Sequence, residues 1–185
     1  MSATINAQDL KQFRCFEGLN DTELNDALQT LDARNLKAGE ILFEEGDTGD
    51  AVYLVGRGHM EIRVQVPGKP HRVLATLEPG SIFGEMSLLL RAPRAATAAA
   101  TSDATVWQIT DAEFEAALDR REAWVCEFLH ATAQALASRL GTLDRELVQL
   151  MGQEQGDGAV ERPEPAARVA ELERLRQRLF TEWSF

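Results

Sequence analysis

The spacing of apolar positions changes twice along the chain. In residues 21–31, Leu24, Ala27, Leu28 and Leu31 recur at i, i+3, i+4 and i+7 behind the capping residue Asp21, which predicts an amphipathic helix inside a helical segment 1–32. From Ala33 the period falls toward two. Turns marked AGE, EGDTGD, GRG, PGKP and EPG then separate strands predicted at 33–37, 40–45, 51–56, 59–66, 72–77, 95–101 and 104–110. Seven short strands without an internal repeat predict a mainly β member of the α+β class. The expected architecture is an antiparallel β-roll or jelly-roll barrel over 33–110, flanked by short N-terminal helices and a long C-terminal helix.

At Asp111, read as an N-cap, the helical period returns, and no proline interrupts it before Met151. Within 111–151, Cys126, Ala133, Leu140 and Leu147 occupy a positions and Leu129, Leu136, Leu143 and Leu150 occupy d positions of four heptads. This predicts a parallel homodimer through 126–150, with Arg139 at g reaching Asp144 of the partner subunit at e. A helix packed on its own roll also carries a leucine stripe, and Phe114, Leu118, Trp124 and Phe128 are assigned to that packing. Residues 152–165 have the Gly and Pro content of a linker. Beyond it, 166–180 places Val169, Leu172, Leu175 and Leu179 on one helical face, and the stretch 166–185 ends in Phe180, Trp183 and Phe185. A terminal amphipathic element rich in aromatics is expected to dock on a protein partner or to cover a ligand.

Charge narrows the function classes. Thirty acidic against nineteen basic residues give −11, which disfavours free-standing binding to DNA or to anionic membranes. No signal-like start or long apolar run is present, so the expected location is the cytoplasm. Cys15 and Cys126 are 111 residues apart and are expected to be buried thiols. His59, His71 and His130 share no ligand spacing, so no metal is expected, and no nucleophile–base or paired-carboxylate constellation points to an enzyme.

The segment that departs from this acidic background is 83–97, FGEMSLLLRAPRAAT. Gly84 permits close backbone approach, and EMSLLL supplies a helical start whose free N–H groups attract an anion. Arg94, behind Pro93, offers a planar fork of donors for phosphate oxygens, while Glu85 can accept from a sugar hydroxyl and steady Arg94. This stretch resembles the phosphate-binding cassette of the cyclic nucleotide-binding domain family, in the version found in regulatory subunits of the cyclic AMP-dependent protein kinase. Upstream, AGEILFEEGDTGDAVYLVGRGHMEIRV and EPGSIFGE are similar to that family's strands and its entry into the cassette, so the resemblance spans about 13–151. AWVCEFLHATAQALASRL is similar to the dimerisation helix of catabolite activator-type regulators.

The resemblance implies that the Gly84 backbone and Glu85 hold a ribose 2′-hydroxyl. Met86 and Ser87 would present backbone N–H groups to the cyclic phosphate, Arg94 would pair with its oxygens and the Ala95 amide would complete the cradle, with Phe83, Ala96 and Thr97 alongside. Ala95 stands where members tuned to cyclic GMP often carry Thr, which implies cyclic AMP as ligand with cyclic GMP as the alternative. Base contacts in activator-type members come from the dimer helix, here near Thr142, Leu143 and Asp144, and Trp183 offers a stacking surface instead. The function expected is a stand-alone cyclic nucleotide sensor that signals to a protein partner. The alternatives are a cyclic AMP-responsive transcriptional regulator without a readable helix-turn-helix, and a degenerate domain kept as a dimer scaffold.

Overall fold

Asn20, one residue before the cap expected from the sequence, starts the second helix of the chain because it can form a reciprocal pair with Glu23. Its side chain accepts the N–H groups of Thr22 and Glu23, and the Glu23 carboxylate accepts the N–H of Asn20. The structure, a computed structural model, describes residues 5–154 apart from 67 and 69. Helix α1 (Ala7–Leu10), a 3₁₀ turn at Arg14–Phe16 and α2 (Asp21–Leu28) form the N-terminal segment, α2 ending three residues before the expected boundary.

Eight strands follow among the described residues: β1 (Asp32–Leu36), β2 (Ile41–Phe43), β3 (Ala51–Arg57), β4 (Met60–Val64), β5 (Arg72–Leu77), β6 (Ile82–Phe83), β7 (Thr97–Ala100) and β8 (Ala104–Thr110). They form two antiparallel four-stranded sheets, β1-β8-β3-β6 and β2-β7-β4-β5, which pack as a roll of open sheets rather than as a closed barrel. The two-residue β6, paired with Tyr53 and Leu54 of β3, is too short to leave an alternation in the sequence. Residues 95 and 96, read from sequence as strand, precede β7 in the return from the cassette.

Burial on both faces of β3 explains why its pattern reads as continuous rather than alternating. Ala51, Tyr53 and Val55 point between the sheets with Met60, Ile62, Phe83 and Val106, while Val52 and Leu54 point outward to the helices with Trp107 and Ile109. The outer core is aromatic: Phe13 meets Trp107 at 5.8 Å between centroids, and Phe114 meets Phe128 at 5.4 Å and Trp124 at 6.0 Å, each edge to face.

The single helix expected over 111–151 is two. Helix α4 (Asp111–Asp119) is capped by Thr110, not Asp111, because Thr110 and Glu113 form the same reciprocal box as Asn20 and Glu23. The chain then turns through Arg121 in the left-handed region (φ 57°), with Arg121 N–H donating to Leu118 and Glu122 N–H to Ala117. The break carries Trp124 into the outer core, and the Glu122 carboxylate receives both Arg120 Nε and Trp124 Nε1. Helix α5 (Ala123–Glu154) continues three residues into the expected linker; 155–165 and the predicted helix and tail over 166–185 lie outside the described residues.

Along α5, Trp124, Val125, Phe128 and Thr132 are buried, whereas Leu136 and Leu140 are exposed. Cys15 is buried as expected, its thiol pushed up in pKa by desolvation. Cys126 is exposed, contrary to expectation, because the buried Val125 and Phe128 flank the α5 face directed into the outer core and Cys126 lies off it. No described helix is long and apolar enough to cross a membrane.

Thr110→Ala removes the α4 capping box and is expected to cost about 1 kcal/mol, roughly 2–4 °C in Tm, measured by thermal denaturation followed by circular dichroism.

Candidate functional site

Strand β6 delivers Phe83 to a left-handed Gly84 (φ 86°), which starts helix α3 (Glu85–Leu90). A Cβ at Gly84 would lie 2.8 Å from Arg94 Nη1 and 3.2 Å from the Ala51 carbonyl oxygen, so both the backbone angle and the space demand glycine. Glu85 and Ser87 turn inward and are buried, while Met86, Leu89 and Leu90 face outward. Arg91 closes α3 in the left-handed region (φ 50°), and its guanidinium meets Glu115 of α4 at 2.9 Å. Pro93 then sets the approach to Arg94.

The side chain of Arg94 is 1% exposed. Its Nη1 donates to the Ala51 carbonyl at 2.8 Å and to that of Gly84 at 3.3 Å, and Nη2 donates to Asp50 Oδ1 at 3.3 Å. The guanidinium carbon lies 4.2 Å from the Phe43 ring centre and 5.4 Å from that of Tyr53. Backbone bonds fix the segment: Arg94 N–H donates to Asp47, and Gly46 N–H donates to Arg94. Arg94 Nε is buried with no hydrogen-bond partner among the described residues. A donor in that state, on a charged group, is suited to an acceptor brought in by a ligand.

Phe83, Gly84, Glu85, Met86, Ser87, Arg94, Ala95 and Ala96 line one shallow cleft, with Phe43 and Ile62 adding apolar wall. Thr97 is not brought there. Its hydroxyl accepts the Glu45 N–H at 3.0 Å, and it lines a separate cavity with Glu44, Arg63 and His71. Thr142 lies on α5, accepts from Arg145 at 3.1 Å and does not line the cleft. The backbone positions of Leu143 and Asp144 are on α5, their side chains are outside the described residues, and so is all of Trp183.

Sequence reasoning missed the β2–β3 turn. Asp50, Ala51, Phe43 and Tyr53 position Arg94, and Gly49 supports the cassette: a Cβ on Gly49 would fall 2.1 Å from Ser87 Cβ. The signal was the EGDTGD turn, where a Gly–Asp pair directly precedes the two-sided strand β3. No group of His, Cys, Asp and Glu side chains that could hold a metal occurs among the described residues.

A two-sheet antiparallel roll, interrupted between β6 and β7 by a short helix that leads to a buried arginine beside a cleft, defines the class as a β-roll domain with a cassette-like insertion. Residues 33–121 match the model of the cyclic nucleotide-binding domain, and this domain belongs to that family. The chain is 38% identical over 132 residues to the cyclic AMP receptor protein of Thermus thermophilus, an alignment covering 71% of this chain and 59% of that protein. The solved catabolite activator protein of Thermus thermophilus matches with a TM-score of 0.61 and 27% identity, over 90% of this chain and 84% of that one. The regulatory domain of Toxoplasma gondii PKA, solved with cAMP, matches with a TM-score of 0.54 and 32% identity, over 60% of this chain and 42% of that one. The chain spans less than two thirds of the length of the curated relatives it matches, 59% for the receptor protein.

Gly49→Ala is expected to push Ser87 and α3 outward and to lower stability by about 1–3 kcal/mol in urea denaturation. Gly18→Ala, where the added methyl meets open space, should stay within about 0.5 kcal/mol of the parent.

Proposed function

We propose that this chain is a regulatory cyclic nucleotide sensor that binds cyclic AMP, and that Arg94 is the partner of the cyclic phosphate. The observation that carries the reading is a guanidinium with 1% side-chain exposure, pre-positioned by Asp50, Ala51 and Gly84, whose Nε has no acceptor among the described residues. In this reading Glu85 accepts the ribose 2′-hydroxyl, the N–H groups of Met86, Ser87 and Ala95 close around the phosphate, and Phe83 and Ala96 complete the wall. Alanine at 95 supplies no hydroxyl to a guanine amino group, which favours cyclic AMP over cyclic GMP. Relatives named as a cyclic AMP receptor and a PKA regulatory domain with cAMP support the same ligand.

The output is assigned to a cytoplasmic protein partner docking on 166–185 rather than to catalysis or DNA, in keeping with the net charge of −11. Two copies associate through α5, where Leu136 is 40% and Leu140 60% exposed at successive heptad core positions. Base contacts are assigned to the Thr142–Asp144 stretch of that helix or to Trp183.

Arg94→Ala is expected to weaken cyclic AMP binding by about 2–5 kcal/mol, roughly thirty- to several-thousand-fold, in calorimetric titration. A loss under threefold overturns the assignment. Light scattering at tens of micromolar protein should give a dimer mass, and Leu136→Glu with Leu140→Glu should give a monomer; a parent monomer at that concentration rejects the dimer.

A further inference from the structure

Asp111 places a carboxylate where the fold leaves it poorly served. It opens α4 directly after β8, and its N–H donates to the Asp50 carbonyl at 2.9 Å. Its Oδ1 is buried and has no hydrogen-bond partner among the described residues. Four charged groups act on it: Asp50 from the β2–β3 turn, Arg94 and Arg91 from the cassette and its end, and Glu115 one helical turn along α4. Both arginines are engaged with the other two acids, Arg94 with Asp50 at 3.3 Å and Arg91 with Glu115 at 2.9 Å. Asp111 is thus the third carboxylate beside two arginines. Desolvation first, then repulsion from Asp50, raises its pKa above the ordinary carboxylate value, and Arg94 opposes the rise.

We propose that Asp111 is a positioning residue of the nucleotide site, acting on Arg94 through Asp50, and that it takes up a proton when a cyclic phosphate engages Arg94. The inference rests on the reading of Arg94 as the phosphate partner. A phosphate anion on Arg94 cancels the charge that offsets the Asp50–Asp111 repulsion. Asp50, with a side chain 72% exposed, can turn into water. Asp111 is less free: it is only partly exposed, its N–H is tied to the Asp50 carbonyl, and its Oδ1 is buried without a partner among the described residues. The positive end of α4 favours its charged form, but that contribution is the same with and without ligand. Relief on binding therefore comes by protonation from solvent. Because the complex then holds more protons than the free protein, affinity rises as pH falls through the titration of Asp111 and is level well above it.

The test is calorimetric titration of the full chain with cyclic AMP between pH 5.0 and 7.5, in buffers of different ionisation enthalpy, for the parent and Asp111→Asn. The expected result is net proton uptake by the parent at the acid end of that range. Affinity gains about threefold for each half unit by which binding raises the Asp111 pKa. Asp111→Asn should bind at pH 7.5 at least as tightly as the parent and show a flattened pH profile. Absence of proton exchange in the parent across the range overturns the proposal, and this measurement needs no variant to fold. A folded Asp111→Asn protein that keeps the parent's pH profile overturns it equally. If cyclic AMP does not bind at any pH, the functional reading itself falls; binding without proton exchange removes only the role of Asp111.

Discussion

Holding a guanidinium out of water is the demand around which the roll is arranged. An uncompensated charge in a protein interior costs many kcal/mol, so Arg94 is tolerable only where acceptors and aromatic faces are already in place. The Ala51 and Gly84 carbonyls, the Asp50 carboxylate and the rings of Phe43 and Tyr53 meet that demand from strands β2 and β3, the turn between them and the residue opening α3. None of these groups is near Arg94 in sequence except Gly84, so the site exists only after both sheets have paired.

The two-sided burial of β3 carries this dependence outward. Tyr53 on its inner face touches the arginine's surroundings, while Val52 and Leu54 on its outer face pack into the aromatic cluster that receives Phe16, Phe114, Trp124 and Phe128. The turn preceding the strand presses on Ser87 through Gly49 and reaches α4 through the Asp50–Asp111 backbone bond. Cassette, strand and helix bundle therefore share a few atoms of contact, and a shift in one is felt by the others because packed interiors deform little.

Much of this was legible in the chain. The turn-marked strands, the helical N-terminal segment, and the Gly84–Glu85 and Arg94 pair all rest on local signals: glycine where φ is positive, alternation on half-buried strands, an arginine behind proline. What escaped was non-local. Asp50 and Ala51, which bind Arg94, end a turn and open a strand some forty residues earlier, and nothing in EGDTGD announces which arginine it faces. The joint between α4 and α5 escaped because Arg121 adopts the left-handed region without the glycine that usually marks it, and the need to bury Trp124 decided the matter. In both cases the cap lies one residue before the expected aspartate because Asn20 and Thr110 have a reciprocal Glu three positions on, whereas Asp21 and Asp111 have Leu24 and Phe114 there.

That joint has a mechanical consequence. Helix α5 has 32 residues, so it is about 48 Å long, and among its described side chains the buried ones, Trp124, Val125, Phe128 and Thr132, all lie in its first ten residues. Its geometry is that of a lever whose fulcrum would lie beside Arg121. A tilt of about 5° at the base displaces the far end by about 4 Å, most of the rise of one helical turn. Displacements too small to disturb the packing around Ser87 are thus amplified into changes of contact at a distance where another molecule can register them.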